Sequence, residues 1–340
     1  GTGADWYMRS KLSGLRQVYA VITDDFSRPI ETPLHNLRPA RETCEKCHWP
    51  EKFYARQLIN ENHYLPDSLN TEWHIGLQRK TGPSPSAQGL SEGIHWHINP
   101  KVKIEYIPKR ENRRDIPWVK YTNLETNEET IFIDEENMLS EKKMDEAVSR
   151  EMDCMDCHTR PSHHYSTPME FVDDGITAGR IPKDLPFIKK VAMDLFVDPY
   201  EHTDTALMII ESTIHDFYRE EMPEIYEARI DDINQAIEGI IEGFSENIFP
   251  EMQVSWDAYT DHIGHKTYNG CFRCHDDNHV SESGQVIRKD CNICHTIILQ
   301  GKVGEEMVAG LNDAMDFVHP KELEEGWEDD LCYDCHRYLY

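Results

Sequence analysis

Five times in the chain two cysteines stand three positions apart and a histidine follows the second directly: Cys44, Cys47 and His48; Cys154, Cys157 and His158; Cys271, Cys274 and His275; Cys291, Cys294 and His295; Cys332, Cys335 and His336. At this spacing two thiols can add to the two vinyl groups of one haem while the adjoining imidazole reaches under the ring to its iron. Paired thiols also suit tetrahedral zinc or disulfides. Yet all ten cysteines fall into such pairs, and each pair is closed by one of only 18 histidines in 340 residues. Zinc knuckles need no such coincidence. The expectation is five covalently bound haem c groups, with His48, His158, His275, His295 and His336 as proximal ligands.

A haem iron with one protein imidazole keeps a vacant site for a small molecule, whereas a second imidazole closes it and leaves electron transfer. Thirteen histidines lie outside the motifs, enough to close five irons. His279 follows His275 by four residues and lies on the same side of that ring, so it should serve another haem, that of His295 being the plausible one. The same argument keeps His163 and His164 off the haem of His158. His265, His319 and one of the pair His95 and His97 complete the distal candidates; His35, His63, His74, His202 and His215 rank below them. No catalytic residue is assigned.

The elements that must position these groups read as a mainly α chain with extensive irregular loops and a small antiparallel β-meander. A helix is expected around Lys11 to Ile22, then a loop punctuated by Pro29, Pro33 and Pro39. From His48 to about Gly93 the composition predicts a surface loop rather than a sheet. Val102, Ile104 and Tyr106 alternate with polar residues, and Ile116, Trp118, Ile131 and Ile133 follow, which predicts the meander over about 94–134. Ahead of it His95 and His97 would share a face if that segment were extended. Between 159 and 250 there is no cysteine. Helices are expected over Leu185 to Phe196 and Asp204 to Phe217, and one long helix from Pro223 carries Ile230, Ile233, Ile237, Ile240, Ile241 and Phe244 in steps of three and four. The chain thus divides into a haem region at 1–158, a helical insertion at 159–250 and a three-haem region at 251–340.

The net charge is −28, from 35 basic and 63 acidic residues. Such a surface repels nucleic acid and anionic lipid, and it favours basic partners, cations or an oxidised metal. The mean hydropathy of −0.67 suits a chain whose core is partly porphyrin. No apolar run approaches the ~18 residues needed to cross a bilayer, and no signal peptide is visible. Gly1 is read as a processed or truncated start. Haem attachment to paired thiols takes place outside the cytoplasm, so the expected location is periplasmic or extracellular.

The segments 38–53, 93–98, 157–163, 264–276 and 317–320 resemble those of NapC/NirT-type multihaem cytochromes of anaerobic respiratory bacteria. The resemblance covers nearly the whole chain. It implies a membrane-anchored periplasmic cytochrome that takes electrons from quinol and hands them to a soluble or outer-membrane acceptor. In that family a further haem motif precedes the segment resembling residues 1–6, and a transmembrane helix lies upstream of it. The chain is accordingly read as the periplasmic part, with membrane association only through a preceding segment and no quinol-binding residue assigned. The matched histidines imply His163, His265, His279 and His319 as distal ligands.

The leading expectation is an electron conduit rather than a catalyst, with other cytochromes or copies of itself as redox partners. Two further readings are a subunit of an extracellular cytochrome filament, and a multihaem reductase with one open haem in which His97 or His164 donates a proton.

Overall fold

The computed structural model describes residues 3–30, 43–48, 56–82, 93–160, 164–259, 261–310, 313–323 and 330–336. Helix α1 (Gly3–Thr23) covers and extends the expected N-terminal helix. The region expected to be an irregular loop instead holds strands β1 (Arg56–Tyr64) and β2 (Glu72–Lys80), paired antiparallel over their whole length. The turn between them explains how. Asp67 accepts from the Leu69 and Thr71 amides at 3.0 and 2.9 Å, and Asn70 takes the left-handed conformation at φ 45°, both familiar turn devices.

Strands β3 (Val102–Ile107), β4 (Trp118–Asn123) and β5 (Glu129–Asp134) form antiparallel pairs in sequence order. Val102, Ile104 and Tyr106 point to the buried face as their alternation requires. After the short helix α2 (Glu141–Glu146), strand β6 (Arg150–Glu151) adds to β3.

The cysteine-free stretch folds into α3 (Pro168–Thr177), α4 (Ile188–Asp194), α5 (Thr203–Glu221), α6 (Pro223–Ala228) and α7 (Ile230–Asn247). A single long helix from Pro223 is not what forms. Arg229 leaves helical geometry at φ −133°, ψ 33°, and its guanidinium holds Asp232 and Asp184 at 2.7 and 2.9 Å. The predicted stripe survives on α7, where Ile233, Ile237, Ile240 and Phe244 are buried. They pack with Phe171, Ile188, Ile210, Ile214 and Tyr218 into one core that also takes Tyr64 from β1. Gly243 permits the close approach of α3, since a Cβ there would lie 2.6 Å from the Phe171 ring.

Strands β7 (His279–Ser281), β8 (His295–Lys302) and β9 (Met307–Val308) then complete two sheets, and helix α8 (Cys332–His336) follows. One sheet has the order β1-β2-β8-β9 and the other β6-β3-β4-β5-β7. The mainly α expectation therefore gives way to eight helices beside two antiparallel sheets among the described residues. One sheet recruits two strands and the other one strand from the last third of the chain, which brings the third and fourth motifs against elements from the first half.

Candidate haem sites

In three of the motifs the histidine amide closes a helical turn on the first cysteine. The His48 amide donates to the Cys44 carbonyl at 2.8 Å, His158 to Cys154 at 2.8 Å and His275 to Cys271 at 3.1 Å. The second, third and fourth motifs begin as 3-10 turns and the fifth forms α8. In the second motif Asp153 caps the turn, its side chain accepting from the Met155 amide at 2.8 Å while its own amide donates to Asp156 at 2.7 Å. All ten cysteines are unbridged.

Across from four of the motif imidazoles stands a second imidazole. Ring centres are 6.3 Å apart for His95 and His158, 5.9 Å for His97 and His275, 6.0 Å for His265 and His295, and 6.1 Å for His319 and His336. Two metal–nitrogen bonds of about 2 Å, with about 1 Å from each nitrogen to its ring centre, require roughly 6 Å. The spacing therefore fits an iron between each pair. Nitrogen chemistry agrees. Nδ1 of His319 lies beside both the carbonyl and the amide of Lys321, at 2.9 and 3.3 Å, while Nδ1 of His95, His97 and His275 donates to the carbonyls of Thr81, Ile94 and Arg288 at 2.6, 2.9 and 3.1 Å. That selects the tautomer whose Nε2 is free to bind metal. Burial pushes His97 and His265 down to about 4, and it lowers His95, His275, His295 and His336 as well. In all six, burial favours the neutral imidazole that ligation needs.

His95 and His97 do not lie on an extended segment. Residues Ile94–Ile98 form a 3-10 turn, in which positions two apart point well away from each other. That is how one turn can present both imidazoles, each to a different motif, where only one of the two was expected to serve. Trp96 fixes the turn by stacking on Tyr121 of β4 at 5.4 Å.

His279 sits elsewhere than expected. It is fully buried on β7, with Nδ1 2.8 Å from Asp276 and Nε2 donating to the Ile116 carbonyl at 2.7 Å. The ring opposite His295 is that of His265. His163 and His35 lie outside the described residues, and no ring pairs with His48 among the described ones. His164 is exposed, 4.0 Å from Glu170. His63 and His74 are engaged by carboxylates, His202 precedes α5 and His215 packs on Tyr226.

Neighbouring motifs lie close to one another in sequence order. Burial and then the Cys44 thiol raise Cys154. Burial raises Cys157 to about 11, with Arg273 opposing and Cys271 adding. Cys271 is lowered, first by a hydrogen bond with Cys294, and Cys332 is raised by burial and then by Cys291. Between the second and third motifs the link is a direct bond, Arg273 donating to the Asp156 carbonyl at 2.9 Å.

Asp156 itself escaped the sequence reading. Its buried carboxylate accepts from Tyr106 at 2.7 Å, Arg113 at 2.6 Å and Arg150 at 2.9 Å. It occupies a variable position inside a motif, so only the fold marks it out.

Over 336 residues, 99% of its length, the chain is 42% identical to the cytochrome c-type protein ImcH of Geobacter sulfurreducens, and it spans 65% of that protein. No family model and no solved structure matches. The motifs and this similarity together support a c-type cytochrome carrying covalently bound haem.

Proposed function

We propose that the chain is an electron conduit holding five haem c groups through its ten cysteines and the histidines that close the motifs. His95, His97, His265 and His319 complete the irons of the second, third, fourth and fifth motifs. The bound haems supply one-electron iron couples. The polypeptide's part is to fix their spacing, close their sixth positions and tune them by burial and by the carbonyls on Nδ1 of His95, His97 and His275. The observation carrying this reading is the set of four imidazole pairs with centres 5.9–6.3 Å apart. Proximity of successive motifs supports a path running in sequence order. Donor and acceptor are read as a quinol-linked donor and a periplasmic or extracellular acceptor, in keeping with the NapC/NirT resemblance.

The test combines intact mass with carbon monoxide binding by the reduced protein. Five haem masses and an unchanged reduced spectrum under carbon monoxide are expected. Fewer haems would overturn the count, and a carbon monoxide complex would overturn the closed-iron reading in favour of a reductase.

A further inference from the structure

Helix α1 stands apart from both cores. Every residue from Tyr7 to Thr23 is exposed except Gly14 and Ala20, which are half-buried. The exposed set includes Met8, Leu12, Leu15, Val18, Tyr19 and Ile22, each between 56% and 77% accessible. At about 100° per residue these six fall within about a third of the helix circumference. Ser10, Ser13 and Gln17 lie on the opposite side with Val21 beside them, and Arg9 and Arg16 lie between, next to Leu12. In proteins most helical stability comes from packing of an amphipathic face, and a contiguous apolar patch of this kind marks an interaction surface.

Charge decides what covers it. In a chain of net −28, the sequence of α1 carries three cations, Arg9, Lys11 and Arg16, against one acid, Asp5. Arg9 and Arg16 flank the Leu12 edge of the apolar arc, and Lys11 lies within it, its long stem able to carry the amine outward. A second copy is the poorer occupant. Its α1 would bring the same cations to the seam, with almost no acid to complement them. No described helix is long and apolar enough to cross a membrane.

We propose that α1 lies flat in the interface of an anionic bilayer, apolar arc toward the acyl chains and arginines toward the lipid phosphates. A basic face beside a leucine- and tyrosine-bearing face is the pattern of interfacial helices. This inference does not depend on the haem assignments.

The test is flotation of the haem-loaded chain with vesicles of equal parts phosphatidylcholine and phosphatidylglycerol, and with phosphatidylcholine alone. Binding to the anionic vesicles and little to the neutral ones is expected. Leu12→Glu with Leu15→Glu should weaken it by about a hundredfold, roughly tenfold for each leucine. Ser13→Glu with Gln17→Glu adds the same charge on the polar side and should cost far less. An unchanged absorption spectrum reports that the haem-bearing body is intact in each variant. No flotation of the wild-type chain, or equal loss in the two double variants, would overturn the proposal. So would a dimer that the leucine variant splits while the wild type ignores vesicles, since a second copy would then cover the face.

Discussion

His97 meets His275 with ring centres 5.9 Å apart and planes at 87°, nearly perpendicular. Two residues earlier, His95 faces His158 at 6.3 Å with planes only 7° apart. One turn of chain thus sets two imidazole pairs at opposite extremes of mutual orientation. The filled π orbitals of parallel imidazoles raise the same iron d orbital, while perpendicular ones raise two different orbitals equally. The ferric protein should therefore show one strongly anisotropic low-spin signal from the His97 pair beside a more rhombic one from the His95 pair. His97→Ala should remove only the former and let that reduced iron bind carbon monoxide. Electron paramagnetic resonance of the variant checks both.

Asp156 holds the second motif to the sheet and the third motif to the second. Replacing it by alanine would leave the Arg113 and Arg150 guanidinium groups facing a buried site without their acceptor. Breaking a buried ion pair from one side costs about 3–5 kcal/mol. Asp156→Ala should lower the denaturation midpoint of the haem-loaded protein accordingly, whereas Asp153→Ala, which removes the more exposed cap of the same turn, should cost about 1 kcal/mol. Chemical denaturation followed by circular dichroism measures the difference.

What the sequence revealed and what it hid divide along a physical line. The motifs were legible because thioether attachment constrains neighbours along the chain, and α7 because a stripe at helical spacing is a local property. The hairpin of β1 and β2 was not, because its polar composition hides where its partners are. Asn70 shows the difficulty. A turn asparagine in sequence, it is fully buried in the fold, donating to the Lys183 and Leu185 carbonyls at 2.8 and 2.7 Å and accepting from the Lys189 amide at 3.0 Å. Those partners lie more than a hundred residues away. Ligand pairing across motifs is non-local in the same sense, and the carbonyls that orient His95, His97 and His275 belong to residues whose side chains carry no signal.

His63 ties β1 to α3 through Asp173 at 3.2 Å, with Glu61 and Lys266 on its other nitrogen, each at 3.4 Å. Burial disfavours its charge, but hydrogen bonds to Asp173 and Glu61 outweigh it and raise its pKa above the usual value near 6.5. A raised pKa means that the folded state holds the proton more tightly than the unfolded one. The resulting stability is complete below about pH 6.5 and is lost as pH rises through the folded value. The stability gap between wild type and His63→Gln should therefore be widest in mild acid and shrink as the solution turns alkaline. Denaturation midpoints across that range give the answer, and a gap that widens with pH would contradict the sign.

Position along the chain and position in space disagree over the fourth motif, and a pair of variants separates them. Chain reach favoured His279 as the ligand opposite His295, because the ring of its own motif bars it from its own iron. The fold instead places His265 there at 6.0 Å, with the planes 27° apart, and spends both nitrogens of His279 on Asp276 and the Ile116 carbonyl. His265 Nδ1 and His295 Nδ1 have no partner among the described residues, so neither ring is oriented by a carbonyl as the His97 ring is. That pair should be the more easily opened of the two. His265→Ala should make one iron high-spin when oxidised and reactive to carbon monoxide when reduced, with four others untouched. His279→Ala should leave every iron six-coordinate. Its cost should fall on stability instead, about 1–3 kcal/mol for the buried carbonyl left unpaired. Carbon monoxide titration monitored at the Soret band distinguishes the two variants, and an open iron in His279→Ala would return the assignment to chain reach.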